Sequence, residues 1–518
     1  MQLLCGRLQA LVARPPKCTW SPIVTQAYSQ DKMSSHSPIT TSQKGEYVAR
    51  QVSNDCIDFS VGQPSPALLP LQALVAASSH RLGSPDAQLL LQYGPRQGYQ
   101  SFRQSLSSFL SERYGVSVQP EHLMVTAGVS HGLGLAVSRL SQPGDIVVVE
   151  QPTYFLVTPI FHDNHLTVMP VRTDEYGLVV DELERWLREH PSHRPRLVYT
   201  IPVHSNPRGT TLPPDRRRHL MRLAAEYDFY VLADEVYQLL TFPHHGSGDR
   251  RTGGKDQDSA ERINYSTYKS RSGSESGSVP DPVSPSFSGN AVDGGAGNVL
   301  HTDAAAAASV ADASRSAADL DSVPGPLRCY EDCDPRVSRV VSLGSFSKML
   351  APALRLGWLE SSNPELMERF RTDGVVSSGG CIAQLATGLA HSALELGLQA
   401  SHLDGTVRPQ LAARCTALVS GLRRHLPLGC WSPSSLVEPR GGYFVWLELR
   451  DGVDSRQLLS LAEQNHGVRF TPGPVCGGGP ANCLRLAFSF YNEEELEEGA
   501  RRLGAAIQEY IGLQQQQK

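Results

Sequence analysis

The chain has 518 residues, 40% of them apolar, enough to bury a large core and to form two lobes. A net charge of −5, from 47 basic and 52 acidic residues, is too balanced to point to a nucleic-acid partner. No apolar run approaches the roughly 20 residues that span a bilayer, so no membrane partner is expected. The ten cysteines follow no metal-ligand pattern: Cys329-x3-Cys333 lacks two further ligands and His244-His245 has no company, so no metal site is expected.

Residues 1–45 read as an N-terminal extension. Arg7, Arg14 and Lys17 precede the first acid, Asp31, and Leu4, Leu8, Leu11 and Val12 share one helical face. That fits a mitochondrial transit peptide, with a cytoplasmic extension as the alternative. Residues 46–90 are assigned to a smaller domain and carry Phe59-Ser60-Val61-Gly62-Gln63-Pro64. A larger domain, residues 91–245 and 326–365, opens on Tyr93-Gly94-Pro95-Arg96-Gln97-Gly98.

Residues 123–133 read as a strand, a glycine turn at Gly128 and a helix start at Val129-Ser130-His131. A helix N-terminus offers unpaired amides and a favourable dipole to an anion. Residues 146–149 form an apolar strand running into Glu150-Gln151-Pro152-Thr153-Tyr154. Another, residues 197–201, leads to Asn206-Pro207-Arg208-Gly209, which is turn chemistry. An amphipathic helix over residues 215–228 precedes the strand 229–234, which ends in Asp234-Glu235-Val236-Tyr237. A carboxylate at the carboxyl end of such a strand lies where open α/β sheets bind ligands.

Residues 246–325 are rich in Ser, Gly, Ala and Asp and lack hydrophobic periodicity, so they read as a disordered insertion. The next strand, residues 340–343, leads into Ser345-Phe346-Ser347-Lys348, followed by Pro352, Arg355 and Gly357. One lysine among hydroxyls and an arginine is what a protein needs to hold a phosphorylated aldehyde as a Schiff base. Residues 366–510 read as an interdomain helix and the rest of the small domain. There Arg485 interrupts an alternating apolar strand, a costly position unless the charge is paired or lines a cavity. Residues 511–518 read as a solvated tail.

In chain order, Y-G-x-x-x-G, E-x-P-T-Y, N-P-x-G, D-E-x-Y, S-x-S-K-x3-P-x2-R-x-G and N-x-L-R-L-x-F resemble the pyridoxal-phosphate (PLP) aminotransferases of class I/II. The resemblance covers about residues 59–503. It implies an α/β fold of type I, with a large three-layer domain on a mostly parallel sheet and a smaller α+β domain. It implies PLP as cofactor, with Lys348 as the Schiff-base and proton-transfer residue and Asp234 on the ring nitrogen. Asn206 and Tyr237 are assigned to the ring oxygen, and Tyr154 to stacking on the ring. Ser345, Ser347, Arg355, Ser130 and the Val129 amide are assigned to the phosphate. Gly62, Asn206 and Arg485 face the substrate, Arg485 on its carboxylate. The family's tyrosine at Tyr93 reaches the neighbouring subunit's phosphate, which implies a homodimer. This sequence departs from the family at Val129 and His131, where many relatives have Ser and Gln, and at Arg208, where a small hydroxyl residue is commoner.

The pattern is closest to the branch acting on 2-aminoadipate, kynurenine and aromatic amino acids, with 2-oxoglutarate as the amino acceptor in a ping-pong reaction. The alternatives are a PLP-dependent C–S lyase and a non-catalytic PLP-binding regulator on the same fold.

Overall fold

The structure is a computed structural model and describes residues 55–243, 323–431, 436 and 438–516. The transit-peptide-like segment, His244-His245 and nearly all of the insertion lie outside the described residues.

Short apolar runs too continuous for one-sided burial become the strands of a parallel sheet. After β1 (Ile57–Asp58), which lies outside that sheet, its strands in chain order are β2 (Leu123–Thr126), β3 (Ile146–Gln151), β4 (Thr167–Asp174), β5 (Gly177–Leu178), β6 (Pro195–Thr200), β7 (Tyr230–Asp234), β8 (Val340–Ser345) and β9 (Gly357–Glu360). The small domain adds β10 (Phe444–Glu448), β11 (Val468–Arg469), β12 (Thr471–Pro472) and β13 (Cys483–Ala487). The main sheet has eight strands in the order β2-β9-β8-β7-β6-β3-β4-β5. Pairs from β8 through β7, β6 and β3 to β4 are parallel, whereas β9 and the edge strand β5 run antiparallel to their neighbours.

Helices fill the crossovers. Helix Pro214–Tyr227, read from sequence as residues 215–228, starts on a proline and ends at Asp228 in the left-handed region (φ 61°). Its Leu220 and Leu223, with Leu183 and Leu187 of helix Val180–Glu189, cover Val148, Val198 and Val231 of the sheet. The small domain holds an antiparallel sheet, β10-β13-β12, and the parallel pair β1-β11, which ties residues 57–58 to residues 468–469. Helix Glu493–Gln516 runs through most of the segment read as a tail. Gln514 Nε2 donates to the Gly452 carbonyl at 2.9 Å, so residues 511–516 complete a docked helix.

The chain re-emerging after the insertion is pinned to the large domain. Arg217 Nη1 donates to the Gly325 carbonyl at 2.8 Å, and Glu235 Oε1 accepts from the Leu327 amide at 2.7 Å. The carboxyl ends of β2, β3, β6, β7 and β8 open on one edge of the sheet, and the small domain's β13 faces that edge through Arg485.

Candidate functional site

Lys348 sits three residues beyond β8. Ser345 Oγ accepts from the Ser347 amide at 3.0 Å and donates to the Leu356 carbonyl at 3.4 Å, so this hydroxyl braces the loop that presents the lysine. Lys348 Nζ donates to the Gly62 carbonyl at 3.1 Å and lies 5.1 Å and 6.0 Å from the ring centres of Tyr443 and Tyr237. The Tyr443 hydroxyl donates back to the Lys348 carbonyl at 3.2 Å. Burial lowers the Lys348 ammonium to a pKa of about 8, against the opposing pull of Asp234. A lysine so shifted is a far better nucleophile at neutral pH than a solvated one.

Asp234 ends β7 and is 4% exposed. Its Oδ2 accepts from the Tyr199 hydroxyl at 2.8 Å, while Oδ1 is buried without a hydrogen-bond partner among the described residues. Burial pushes this carboxyl up to about 6, with Tyr199, the Val236 amide and Lys348 pulling it partway back. A second buried acid, Glu150 at the end of β3, accepts from Thr200 Oγ1 at 2.5 Å, and burial raises it to about 7. Tyr237 packs its ring 5.6 Å from Tyr443 and 5.9 Å from Phe444, and burial holds its hydroxyl protonated.

Arg485, in the middle of β13, answers the question its position raised. Nη1 donates to Asn206 Oδ1 at 3.1 Å, and Nη2 donates to the Ser60 carbonyl at 3.1 Å and Thr471 Oγ1 at 3.0 Å. The guanidinium lies 4.4 Å from the Phe444 ring centre and 5.6 Å from that of Phe155. Asn206, Arg485 and the segment of Gly62 thus meet although they lie far apart in sequence. Tyr154, half-buried in the loop after β3, has its hydroxyl pKa raised by burial and by the nearby Asp234.

Opposite lies a cradle for an anion. Gly128, at φ 79°, caps helix Val129–Leu140, and a Cβ there would come 2.9 Å from Arg355 Nη2. Only glycine lets the arginine approach this backbone. Val129 is half-buried and Ser130 exposed in the helix's first turn. His131 Nδ1 accepts from the Ala127 amide at 3.3 Å, which requires a neutral ring.

The profile of the family described as aminotransferase class I and II matches residues 54–267 and 309–503. The chain belongs to this family. It is 26% identical to aromatic-amino-acid aminotransferase 1 of Thermococcus litoralis, over 88% of this chain and 89% of that protein. Among solved structures it is similar to the kynurenine aminotransferase of Pyrococcus horikoshii in complex with PMP, KYN and KYA. That likeness has a TM-score of 0.66 and 26% identity, over 88% of this chain and 92% of that one. It is also similar to the alpha-aminoadipate aminotransferase of Thermus thermophilus complexed with N-(5'-phosphopyridoxyl)-L-leucine. There the TM-score is 0.62 at 25% identity, over 89% and 94% of the two chains. The protein is a PLP-dependent aminotransferase of fold type I.

The aminotransferase's residues fit that cofactor. The unmet Asp234 Oδ1 can accept from a protonated ring nitrogen, the Gly128–Arg355 cradle suits a phosphate, and Lys348 supplies the amine. Tyr93 stands apart: it is 87% exposed, among the exposed Leu89, Leu91, Val375 and Leu385, so this chain's own side chains leave it uncovered. Sequence reasoning assigned no role to Tyr199, Tyr443, Thr471 or Phe444, which hold Asp234, Lys348 and Arg485 in place. The signal available was a phenol inside a fully buried strand, Tyr199 on β6, which needs a partner.

Proposed function

We propose that this aminotransferase moves the amino group of a 2-aminoadipate-, kynurenine- or aromatic-type L-amino acid to a 2-oxo acid, 2-oxoglutarate first among them, by ping-pong chemistry. The observation that carries the reading is a buried amine of lowered pKa, Lys348, beside a buried carboxylate with an unmet acceptor, Asp234. The functions in the relatives' names support the choice of donor.

PLP supplies an electron sink that makes the substrate's α-proton labile. Lys348 would hold the cofactor, and its amine is the group placed to take the proton from the substrate's Cα as general base. Asp234 keeps the ring nitrogen's proton in place, and Tyr199 keeps that carboxylate oriented and ionised. Asn206 and Tyr237 donate to the ring oxygen, and Tyr154 covers the ring face. Ser347, Arg355, Ser130 and the Val129 amide take the phosphate, with Ser345 bracing their loop. Arg485 clamps the substrate carboxylate in a bidentate grip beside Gly62. Tyr93 completes the phosphate site of a second subunit. A groove of about 660 Å³ lined by Leu90, Tyr93, Val375, Ile382 and Leu385 supports an interface there.

Visible absorption of the purified protein with PLP tests this reading. A band that borohydride fixes covalently to Lys348, bleached by a donor amino acid and restored by 2-oxoglutarate, is the expected result. Release of ammonia and pyruvate would make the enzyme a lyase, and no covalent capture would make it a binding protein.

A further inference from the structure

His204 stands two residues before Asn206, and no step given above uses it. It is 2% exposed and takes φ 49°, in the left-handed region that residues other than glycine seldom enter. Such an outlier persists only where its surroundings over-determine it. The hydrogen bonds around the ring fix its tautomer. Thr241 Oγ1 has one proton and donates it to the Gln238 carbonyl at 3.0 Å, so toward His204 Nε2, 2.9 Å away, it can only accept. Nε2 therefore carries the ring proton. On the other edge Thr211 Oγ1 accepts from the His204 amide at 3.2 Å and faces Nδ1 at 3.5 Å, which leaves Nδ1 as the acceptor. Burial, helped by the Arg217 guanidinium, lowers the ring to about 3, so it stays neutral across the neutral pH range.

Three segments meet on this ring, and each carries a site residue. The first is its own turn, which holds Asn206 and closes through the Gly209 amide onto the Ser205 carbonyl at 2.6 Å. The second runs from Tyr237 to Thr241, whose hydroxyl binds the Gln238 carbonyl and receives Nε2–H. The third is Gly441-Gly442, directly before Tyr443. A Cβ at Gly441 would overlap the imidazole at Nε2, and one at Gly442, at φ 76°, would come 2.9 Å from His204 Cβ. Only glycines let this backbone close over the ring. Thr241 and Gly441 form an antiparallel bridge, and the Phe242 amide donates to the Arg440 carbonyl at 2.8 Å, so the second and third segments are also tied to each other. The ring thus sits where the large domain touches the chain entering β10. Just past Gly442, the Tyr443 hydroxyl donates to the Lys348 carbonyl and its ring centre lies 5.1 Å from Nζ.

We propose that His204 is a positioning residue of this site: its ring keys the Asn206 turn to Thr241 and to Gly441-Gly442, and through them seats Tyr443 against Lys348. Tyr443 belongs to the wall that keeps water from the amine, so a change at His204 is read at Lys348, two links away. The inference is independent of which amino acid is the donor and rests only on Lys348 being the amine that captures PLP.

The test follows covalent capture of PLP against pH by stopped-flow absorbance, alongside thermal unfolding of the full-length PLP-free chain. The wild-type midpoint is expected at about 8. His204→Ala removes the ring, and its midpoint is expected about one unit higher, which makes capture about tenfold slower at pH 7. His204→Gln keeps an Nε2–H donor for Thr241 and is expected to recover most of that loss. Gly441→Ala should slow capture to a similar degree in the wild-type background and by less than about twofold beyond His204→Ala, because the overlapping ring is gone. A lowered unfolding temperature with an unchanged capture profile, in His204→Ala or, should that variant not fold, in Gly441→Ala, would reduce His204 to a packing residue and overturn the inference. Additive losses in the double variant would overturn it too. Histidine 15N spectra of the wild-type protein, assigned by difference with His204→Gln, are expected to show a neutral ring protonated on Nε2 from pH 6 to 9; a titrating or Nδ1-protonated ring would refute the keying bonds. No capture by the wild-type protein would instead refute the Lys348 reading itself.

Discussion

Asp234→Asn is expected to stabilise the cofactor-free protein while disabling it. Burial raises the folded-state carboxyl from 3.8 to about 6, which corresponds to about 3 kcal/mol. A folded pKa above the unfolded value means the folded state binds the proton more tightly. The resulting stability is fully present below about pH 4 and is lost as pH rises through about 6. At pH 7.5 the wild-type protein therefore carries the whole cost of a buried charge, and asparagine does not. The asparagine NH2 that replaces Oδ1 lacks an acceptor, at about 1–2 kcal/mol, so the net gain at pH 7.5 is about 1–2 kcal/mol.

The pH dependence is cleaner than the net value. Between pH 5 and 7.5 the stability of Asp234→Asn relative to wild type should rise by about 1.4 kcal/mol. Glu150, which burial holds near 7, titrates in both proteins and cancels to first order. Urea denaturation of the two PLP-free proteins at both pH values measures the difference. A relative stability that stays constant between the two pH values would refute the claim that Asp234 is a desolvated charge. Added PLP should reverse the ranking, because only the carboxylate can hold a protonated ring nitrogen.

Covalent capture of PLP needs the neutral amine, so with Lys348 at about 8 its rate should climb about fiftyfold from pH 6 to 8 and level off above. Stopped-flow absorbance reads this; a rise continuing to pH 10.5 would mean an unshifted lysine, and capture by Lys348→Ala would mean another amine. Tyr199→Phe removes the 2.8 Å bond to Asp234, and the acid's pKa should climb further. Loss of about 1–2 kcal/mol of stability and several-fold weaker PLP retention are expected, and equilibrium dialysis showing unchanged retention would exclude the role. Deleting residues 246–322 leaves the Leu327–Glu235 and Gly325–Arg217 bonds in place, so kcat is expected to stay within twofold. A loss beyond tenfold would tie the insertion to catalysis.

Much of the fold was legible because its strands are short, continuous and apolar, and β3, β6, β7 and β8 each carry a candidate site residue at or past the carboxyl end. Asp234, Tyr154, Asn206 and Lys348 share that position, so the strands and the candidate site residues were read together. What stayed hidden depends on register and on partners remote in sequence. Tyr199 is paired with Leu232, which sets its hydroxyl beside Asp234 two residues further along β7, and nothing in either segment alone announces the pairing. Ser345 reads as a phosphate donor, yet its nearest partners are the Ser347 amide and the Leu356 carbonyl, because the loop folds back on itself. Tyr93 takes its role from a resemblance that involves two chains, and one chain shows it only as an exposed phenol. The polyglutamine end reads as a tail because its composition is polar, but polar residues are good helix formers when an adjacent helix already nucleates them.

The shifts at Lys348, Asp234 and Glu150 have the same leading cause, removal from water, and in each the neighbouring groups act second. The scaffold therefore sets the reactivity. Phe444, Tyr443 and Tyr237 exclude water around the lysine, and Tyr199 and the β-sheet do so around the acid. Substitutions that open this wall should return Lys348 toward 10.5 and Asp234 toward 3.8 together, whereas removing one charge moves only its partner, and by less. Tyr443→Ala separates these cases: a joint shift seen in the pH dependence of PLP capture and of apo-protein stability means desolvation governs the site. A shift in capture alone would place the control in the Lys348–Asp234 pair.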